Sequence, residues 1–405
     1  MFSVSTSKQG EEYDLNEFRV PPVVLYGRDS FLQTGRHAAS LGSKALIVSD
    51  RVMEKLGYIR RCEQLLHQAG VASLSYPDVN SEPTDQHVAA ALELFQKENC
   101  DLLVAIGGGS CLDAAKAVSI VAVNGGYIGD YIGVNKEISH RPIPLIAIPT
   151  TAGTGSEVTS VTVITNTTND VKMMIKHPAL IPAVAIVDPI LTLTSPPHVT
   201  SSTGIDALCH AIEAYLSRRA HPITDTLALS AIQLISRNIR TVYENGDHIT
   251  ARENMALAAM QAGMAFSNAS VCLIHGMSRP IGAIFHVPHG ISNAMLLPAV
   301  LEFSKEACIE RLARIGRVFS DDLKTLSDAE AADGVISLIK QLCMDLHIPN
   351  MSQQGIDRAE FERAVDKMAA DALESGSPGM NPRIPTHAEI VELYHQCYDY
   401  HFVNI

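Results

Sequence analysis

The chain has no excess of basic residues, no long apolar run and no paired cysteines, and each absence removes a class of function. Among its 405 residues, 31 Lys and Arg stand against 44 Asp and Glu, a net charge of −13. A protein whose main partner was nucleic acid or an acidic membrane surface would need a basic face, so neither partner is expected. No run of about 18 apolar residues is available to cross a bilayer. The N-terminus MFSVSTSKQGEEYDLNEF has neither the basic start nor the apolar stretch of a secretory signal. The eight cysteines, at 62, 100, 111, 209, 272, 308, 343 and 397, form no CxxC pair. That excludes a disulfide framework and a Cys-ligated zinc site, and it fits a reducing compartment, the cytoplasm. GxGxxG and GxxxxGK[ST] are both missing, so neither the ordinary dinucleotide fingerprint nor an NTPase loop is present.

What is there describes a well-packed protein: 46% of residues are apolar and 19% charged. The length exceeds the usual size of one hydrophobic core, so two domains are expected. The polar first dozen residues read as frayed. Phe18 to Tyr26, with two adjacent prolines, reads as an edge strand. Ala45 to Asp50, Leu102 to Ile106, Leu145 to Ile148 and Ala183 to Val187 read as short buried strands separated by helical stretches, the pattern of a parallel sheet covered on both faces. Residues 161–164 and 172–175 suit an antiparallel hairpin. From about Ser195 the pattern is helical, with candidates at 222–242, 251–263, 302–319, 331–346, 359–373 and 388–398. The expected architecture is an α/β nucleotide-binding domain over residues 1–192 and an all-helical domain over 193–405.

Three motifs carry chemistry. Leu102 to Ile106 runs into Gly107-Gly108-Gly109-Ser110, with Asp113 and Lys116 on the helix that should follow. Glycines let backbone approach a phosphate, and a helix N-terminus supplies free N–H donors. Leu145 to Ile148 leads into a loop rich in small hydroxyl residues, in which Thr150, Thr151 and Thr154 can wrap a pyrophosphate or a ribose. Asp50, at the end of an early strand, can accept from an adenosine ribose and repel the extra phosphate of NADP, which favours NAD. Lys172 projects from an apolar element, to serve a phosphate or to pair with a carboxylate. Lastly, Asp206 and His210 stand four apart in a helical run, so both leave one face. Alone they could be a hydrogen-bonded pair. His275 and His289, if brought from a second helix and the loop after it, complete a set of one carboxylate and three imidazoles. That set suits Fe(II), with Zn(II) or another divalent metal as the alternative, better than Mg(II).

Together these motifs resemble the iron-containing, or group III, alcohol dehydrogenase family over residues 18 to 398. The resemblance implies a nucleotide-binding domain and a helical metal-binding domain with the active site between them. It also implies NAD(P)-dependent interconversion of alcohols and aldehydes or ketones, and a homodimer or an assembly of dimers. It assigns Asp206, His210, His275 and His289 to the metal, Gly107, Gly108, Gly109 and Ser110 to the pyrophosphate, and Asp50 to cofactor selection, with Thr150, Thr151, Thr154 and Lys172 in or beside cofactor-contacting segments. Many members carry a second His four residues after the first, and Arg279 stands there in this chain. Arginine cannot shuttle a proton near neutral pH, but its fork suits an anion. Two readings follow for Arg279: it meets an anionic group on the substrate, or it pairs with an acid such as Glu213. His286 is a secondary proton carrier. The expected activity is hydride transfer between nicotinamide and a short alcohol or aldehyde, with a metal polarising the substrate oxygen. Alternatives are a polyol dehydrogenase, a hydroxyacid–oxoacid transhydrogenase or a metal-dependent lyase of related fold.

Overall fold

The computed structural model describes residues 15–402 apart from 81, 134–135 and 170, so the polar first dozen residues lie outside it. Its strands are β1 (Val23–Tyr26), β2 (Lys44–Val48), β3 (Ala72–Tyr76), β4 (Leu102–Gly107), β5 (Leu145–Pro149), β6 (Val161–Asn166), β7 (Val171–Lys176) and β8 (Val184–Val187). Six of them form one sheet in the order β1-β8-β5-β4-β2-β3, every neighbouring pair parallel. β4, β5 and β8 are buried along their whole length, which is why their sequences are unbroken apolar runs. β1 is one edge, directly after Pro21 and Pro22, and β3 the other. β6 and β7 make a separate antiparallel hairpin. Interleaved with these strands are α1 (Thr34–Ala39), α2 (Arg51–Lys55), α3 (Tyr58–Gln68), α4 (Asp85–Lys97) and α5 (Gly109–Asn124).

Beyond β8 the described chain is helical: α6 (Pro197–Leu216), α7 (Pro222–Glu244), α8 (Ile249–Ala269), α9 (Leu273–Phe285), α10 (His289–Ser304), α11 (Ile309–Phe319), α12 (Asp328–Asp345), α13 (Arg358–Glu374) and α14 (His387–Tyr398). The architecture is thus the expected parallel α/β domain followed by a helical one. α6 is the central element of the second part, buried without interruption from Gly204 to Leu216. A helix with no solvent face belongs in the middle of a bundle. Two boundaries differ from the sequence pattern. The apolar stretch at 302–319 is split, because α10 ends at Ser304 and α11 starts at Ile309 after a short 3-10 turn. His289 is the first residue of α10 rather than part of a loop, since left-handed His286 ends α9 and Pro288 caps the next helix.

The two parts touch where neither has a side chain. A Cβ on Gly155, in the loop after β5, would lie 2.6 Å from the Cα of Gly263 on α8, and one on Gly263 would lie 2.8 Å from the Cα of Gly155. Only glycine permits that approach, and Gly155 also sits at φ +62.

Asp113 and Lys116 of α5 bind the hairpin. Asp113 accepts from Ser156 Oγ at 2.6 Å and from the Val163 amide at 2.8 Å. Lys116 is fully buried, and its Nζ donates to Thr159 O, Thr159 Oγ1 and Val161 O at 2.8 to 3.0 Å. Burial pulls Lys116 down to about 8, although Asp113 and Glu157 oppose it. Replacing Lys116 with Met leaves two buried acceptors on Thr159 and the half-buried Val161 O without this donor. The expected loss is about 3 kcal/mol of unfolding free energy in chemical denaturation, and an unchanged midpoint would contradict this anchoring role.

Candidate metal centre and cofactor cleft

Asp206, His210 and Glu213 lie four and then three residues apart on α6, so they form one stripe on a helix buried all round. His275 comes from the first turn of α9 and His289 from the start of α10. α10 can reach α6 because of Gly290, where a Cβ would lie 2.3 Å from Ser202 O. Ligand atoms of Asp206, His210 and His275 all fall within 4.8 Å of one another. His210 Nδ1 is 3.9 Å from Asp206 Oδ2, His275 Nε2 is 3.6 Å from Asp206 Oδ1, and His289 Nε2 is 3.8 Å from Asp206 Oδ1. These separations are too long for hydrogen bonds and fit donors arranged around a common point. His289 stands slightly apart from the tight group, with 35% of its side chain exposed.

Two further members of the cluster, Glu213 and Asn293, were not expected at the metal site from the sequence. Glu213 Oε2 lies 2.5 Å from His275 Nδ1, and Glu213 Oε1 accepts from the Ile274 amide at 2.6 Å. The carboxylate therefore holds a proton on Nδ1 and turns Nε2 toward Asp206, where its lone pair is free once the second ring proton is lost. Asn293 Nδ2 lies 2.7 Å from Asp206 Oδ1, 3.1 Å from His275 Nε2 and 3.2 Å from His289 Nε2. With His275 Nε2 unprotonated, the two hydrogens of this amide nitrogen cannot satisfy three acceptors. His210 Nδ1 and Asn293 Oδ1 are buried without a hydrogen-bond partner among the described residues. The cluster thus holds more lone pairs than the chain has protons to offer them, which is the condition a divalent cation relieves. Spacing carried a signal for both residues: Glu213 follows His210 by three positions, and Asn293 follows His289 by four.

The electrostatics agree. Burial alone would raise Asp206, yet the three imidazoles hold its carboxyl far below the usual carboxylate range. Burial pulls His210 down to about 4 and His289 to about 3, so both rings are neutral donors at pH 7. For His275 burial is outweighed by Glu213 and Asp206, which push it up to about 9. A cation at this point would compete with that one proton.

The glycine turn lies where the strand order reverses, after β4 and beside the end of β2. Gly107 has φ +151, and a Cβ on Gly109 would lie 2.7 Å from Thr154 Cγ2. Gly108 faces Thr151, and the Thr150 amide donates to Gly107 O at 2.9 Å. Thr150 itself is buried. Asp50 Oδ1 caps α2, accepting from the Val52 and Met53 amides, while Oδ2 receives Cys111 Sγ at 3.4 Å alongside Gly107. A cavity of about 250 Å³ between the two parts is lined by Gly109, Ser110 and Thr154 and also by Asp206, His210, His275 and His289.

Other expected site residues sit differently. Asp113 reaches the cavity wall, but both its oxygens are bound within the protein. Lys172 pairs with Glu82 at 3.1 Å and approaches Gly282 of α9, so it serves the helical side of the cavity. Arg279 also lines the cavity, but it does not pair with Glu213, whose oxygens are taken by His275 and Ile274. His286, the secondary proton carrier expected from the sequence, lies outside the cavity wall: at φ 55 it caps α9 and is exposed. The left-handed turn that ends the helix swings its ring into solvent.

Comparison with known proteins agrees over both parts. The model for iron-containing alcohol dehydrogenase matches residues 21–189, and that for the C-terminal part of the Fe-containing alcohol dehydrogenase family matches residues 200–398. The chain is 38% identical to NAD-dependent methanol dehydrogenase of Bacillus methanolicus, over 94% of this chain and 99% of that protein. It is also 38% identical to 1,3-propanediol dehydrogenase of Citrobacter freundii, over 95% and 100%. A crystal structure of 1,3-propanediol oxidoreductase superposes with a TM-score of 0.91 at 36% identity, covering 95% of this chain and 100% of that one.

The Glu213 contact yields a direct prediction. Glu213→Gln should weaken divalent-metal affinity by about 10- to 100-fold in chelator competition, with the fold intact by circular dichroism. Affinity equal to wild type would show that Glu213 does not orient His275.

Proposed function

The chain belongs to the iron-containing alcohol dehydrogenase family, and from that premise we propose that it interconverts short-chain alcohols and aldehydes with NAD and a divalent metal. The observation that carries this reading is one cavity walled both by the glycine turn at Gly109 and Ser110 and by the Asp206, His210, His275 and His289 cluster. Hydride transfer requires donor and acceptor within contact distance, and a common cavity supplies that proximity. Asp206, His210, His275 and His289 would hold the ion, Fe(II) first and Zn(II) as the alternative; when bound, such an ion acts as a Lewis acid toward an alcohol or carbonyl oxygen.

The remaining roles belong to the chain's own groups. Glu213 keeps the His275 proton on Nδ1, so that Nε2 faces the site. Phe266 stacks on His210 at 4.2 Å and keeps water from that ring. Backbone amides of Gly109 and Ser110, at the N-terminus of α5, suit a pyrophosphate. Asp50, beside Gly107, suits a ribose hydroxyl and disfavours a phosphate in its place. Arg279 keeps its proton at neutral pH, so the substrate proton is exchanged with solvent through the cavity or with a cofactor hydroxyl. Methanol and 1,3-propanediol in the relatives' names support small primary alcohols or diols as substrates. We further take the protein to be cytoplasmic and to assemble as a homodimer or in multiples of it. Eight buried, unbridged cysteines support a reducing compartment; among the described residues no single helix is long and apolar enough to cross a membrane.

The test is to strip the protein of metal, reload it separately with Fe(II), Zn(II) and Mn(II), and offer short primary alcohols with NAD⁺ or NADP⁺. Metal-dependent NADH formation, with much slower NADPH formation, is expected. No reduced cofactor with any alcohol and any metal would overturn the dehydrogenase reading and favour a lyase of related fold.

A further inference from the structure

One part of the cavity wall carries more positive charge than hydride transfer needs. Alternate residues of a strand share a face, and on β7 that places Lys172, Met174 and Lys176 together, all lining the cavity with Arg279 of α9. Arg279 follows the metal-cluster residue His275 by four positions, so the two side chains leave the same face of α9 about 6 Å apart along the helix. Its Nη2 lies 3.3 Å from Met174 Sδ, and a thioether is a weak acceptor. Among the described residues Arg279 has no carboxylate at ion-pair distance, and Glu213 is committed to His275 and Ile274. Lys172 is paired with Glu82. Lys176 has no ion pair among the described residues, and the charge it senses is another cation, Arg219. A guanidinium largely withdrawn from water and facing a thioether, with the Glu213 carboxylate acting on it only from beyond ion-pair distance, is an incompletely compensated charge in a chain of net −13.

We propose that Arg279, supported by Lys176, receives a terminal anion on the substrate: a carboxylate, sulfonate or phosphonate at the far end of a short alcohol or aldehyde whose oxygen lies at the metal cluster. This rests on the dehydrogenase reading and names the substrate class for it. The one-turn offset between His275 and Arg279 suits a backbone of about two to four carbons. The anion belongs to the substrate and not to the cofactor, because the phosphate-binding turn is at Gly107 to Ser110 while Arg279 stands one turn from the metal cluster. The group is a spectator: in reduction NADH gives a hydride to the carbonyl carbon, solvent gives a proton to the oxygen, and the products are the hydroxy anion and NAD⁺. Arg279 thereby determines specificity.

The experiment measures kcat/KM for size-matched neutral and anionic aldehydes, propanal and butanal against 3-oxopropanoate, 4-oxobutanoate, sulfoacetaldehyde and phosphonoacetaldehyde, with the metal-loaded protein. An anionic aldehyde should be favoured by about 10- to 100-fold, and ranking the three head groups identifies the anion. Arg279→Gln should lower kcat/KM for that aldehyde by a similar factor, mainly through KM, and leave butanal within about threefold; Arg279→Lys should restore part of the loss, and Lys176→Gln should cause a smaller loss. Calorimetric binding of ethanesulfonate, propanoate and ethylphosphonate, which cannot react, gives a readout free of turnover. Saturable binding of one of them that Arg279→Gln abolishes supports the anion pocket even if no aldehyde is reduced, an outcome that would instead count against the dehydrogenase reading. Equal turnover of neutral and anionic aldehydes, an equal loss for both in Arg279→Gln, or anion binding unchanged by Arg279→Gln and Lys176→Gln would overturn it.

Discussion

The structure depends on one buried carboxylate. Asp206 stands in the middle of a helix without a solvent face, where an isolated negative charge would be strongly unfavourable. Its surroundings meet that charge with polar groups in place of hydrophobes: three imidazoles at 3.6 to 3.9 Å and the Asn293 amide, which donates to it at 2.7 Å. The match is incomplete, since the Asn293 amide is shared among three acceptors and His210 Nδ1 has no hydrogen-bond partner among the described residues. An arrangement that leaves lone pairs converging in a protein interior is one that a bound cation would compensate. This explains why the polar stripe of α6 survives in the most buried element of the helical part.

The same requirement dictates how elements come together. Three helices must deliver ligands to one point, and Gly290 lets α10 start against α6 for that purpose. The nucleotide side must then close over the cluster, and the contact of Gly155 with Gly263 brings the loop after β5 onto α8 with no side chain between them. Lys116 and Asp113 hold the β6–β7 hairpin to α5, so the strand bearing Lys172, Met174 and Lys176 is carried to the helical side of the cavity. Packing, rather than the presence of ligand types alone, produces a common cavity for the glycine turn and the Asp206 cluster.

Much of this was legible in the chain. Unbroken apolar runs such as Leu102 to Ile106 identify central parallel strands because those strands have no polar face, and Gly107 to Ser110 marks the turn after one of them. The four-residue spacing of Asp206 and His210 identifies neighbours on a helix. Relations between helices were harder to read, since spacing says nothing about what a side chain meets across an interface. Glu213 could therefore be set against Arg279 on charge alone, when in the fold it orients His275. Lys116 and Asp113 were placed with the phosphate turn by proximity in sequence, whereas the pitch of α5 turns them toward the hairpin. His286 carries suitable chemistry, but its left-handed backbone points it into solvent, and backbone handedness at a non-glycine residue leaves no trace in composition.

The central claim is that Asp206, His210, His275 and His289 surround one divalent cation. Anomalous diffraction at the zinc edge, from crystals of the protein loaded with Zn(II), tests it most directly. The account predicts a single strong peak per chain, at bonding distance from Asp206 and at least two of the three imidazoles, with Glu213 still on His275 Nδ1. A peak elsewhere, or a cluster that stays closed around the Asn293 amide with no anomalous density, would contradict it.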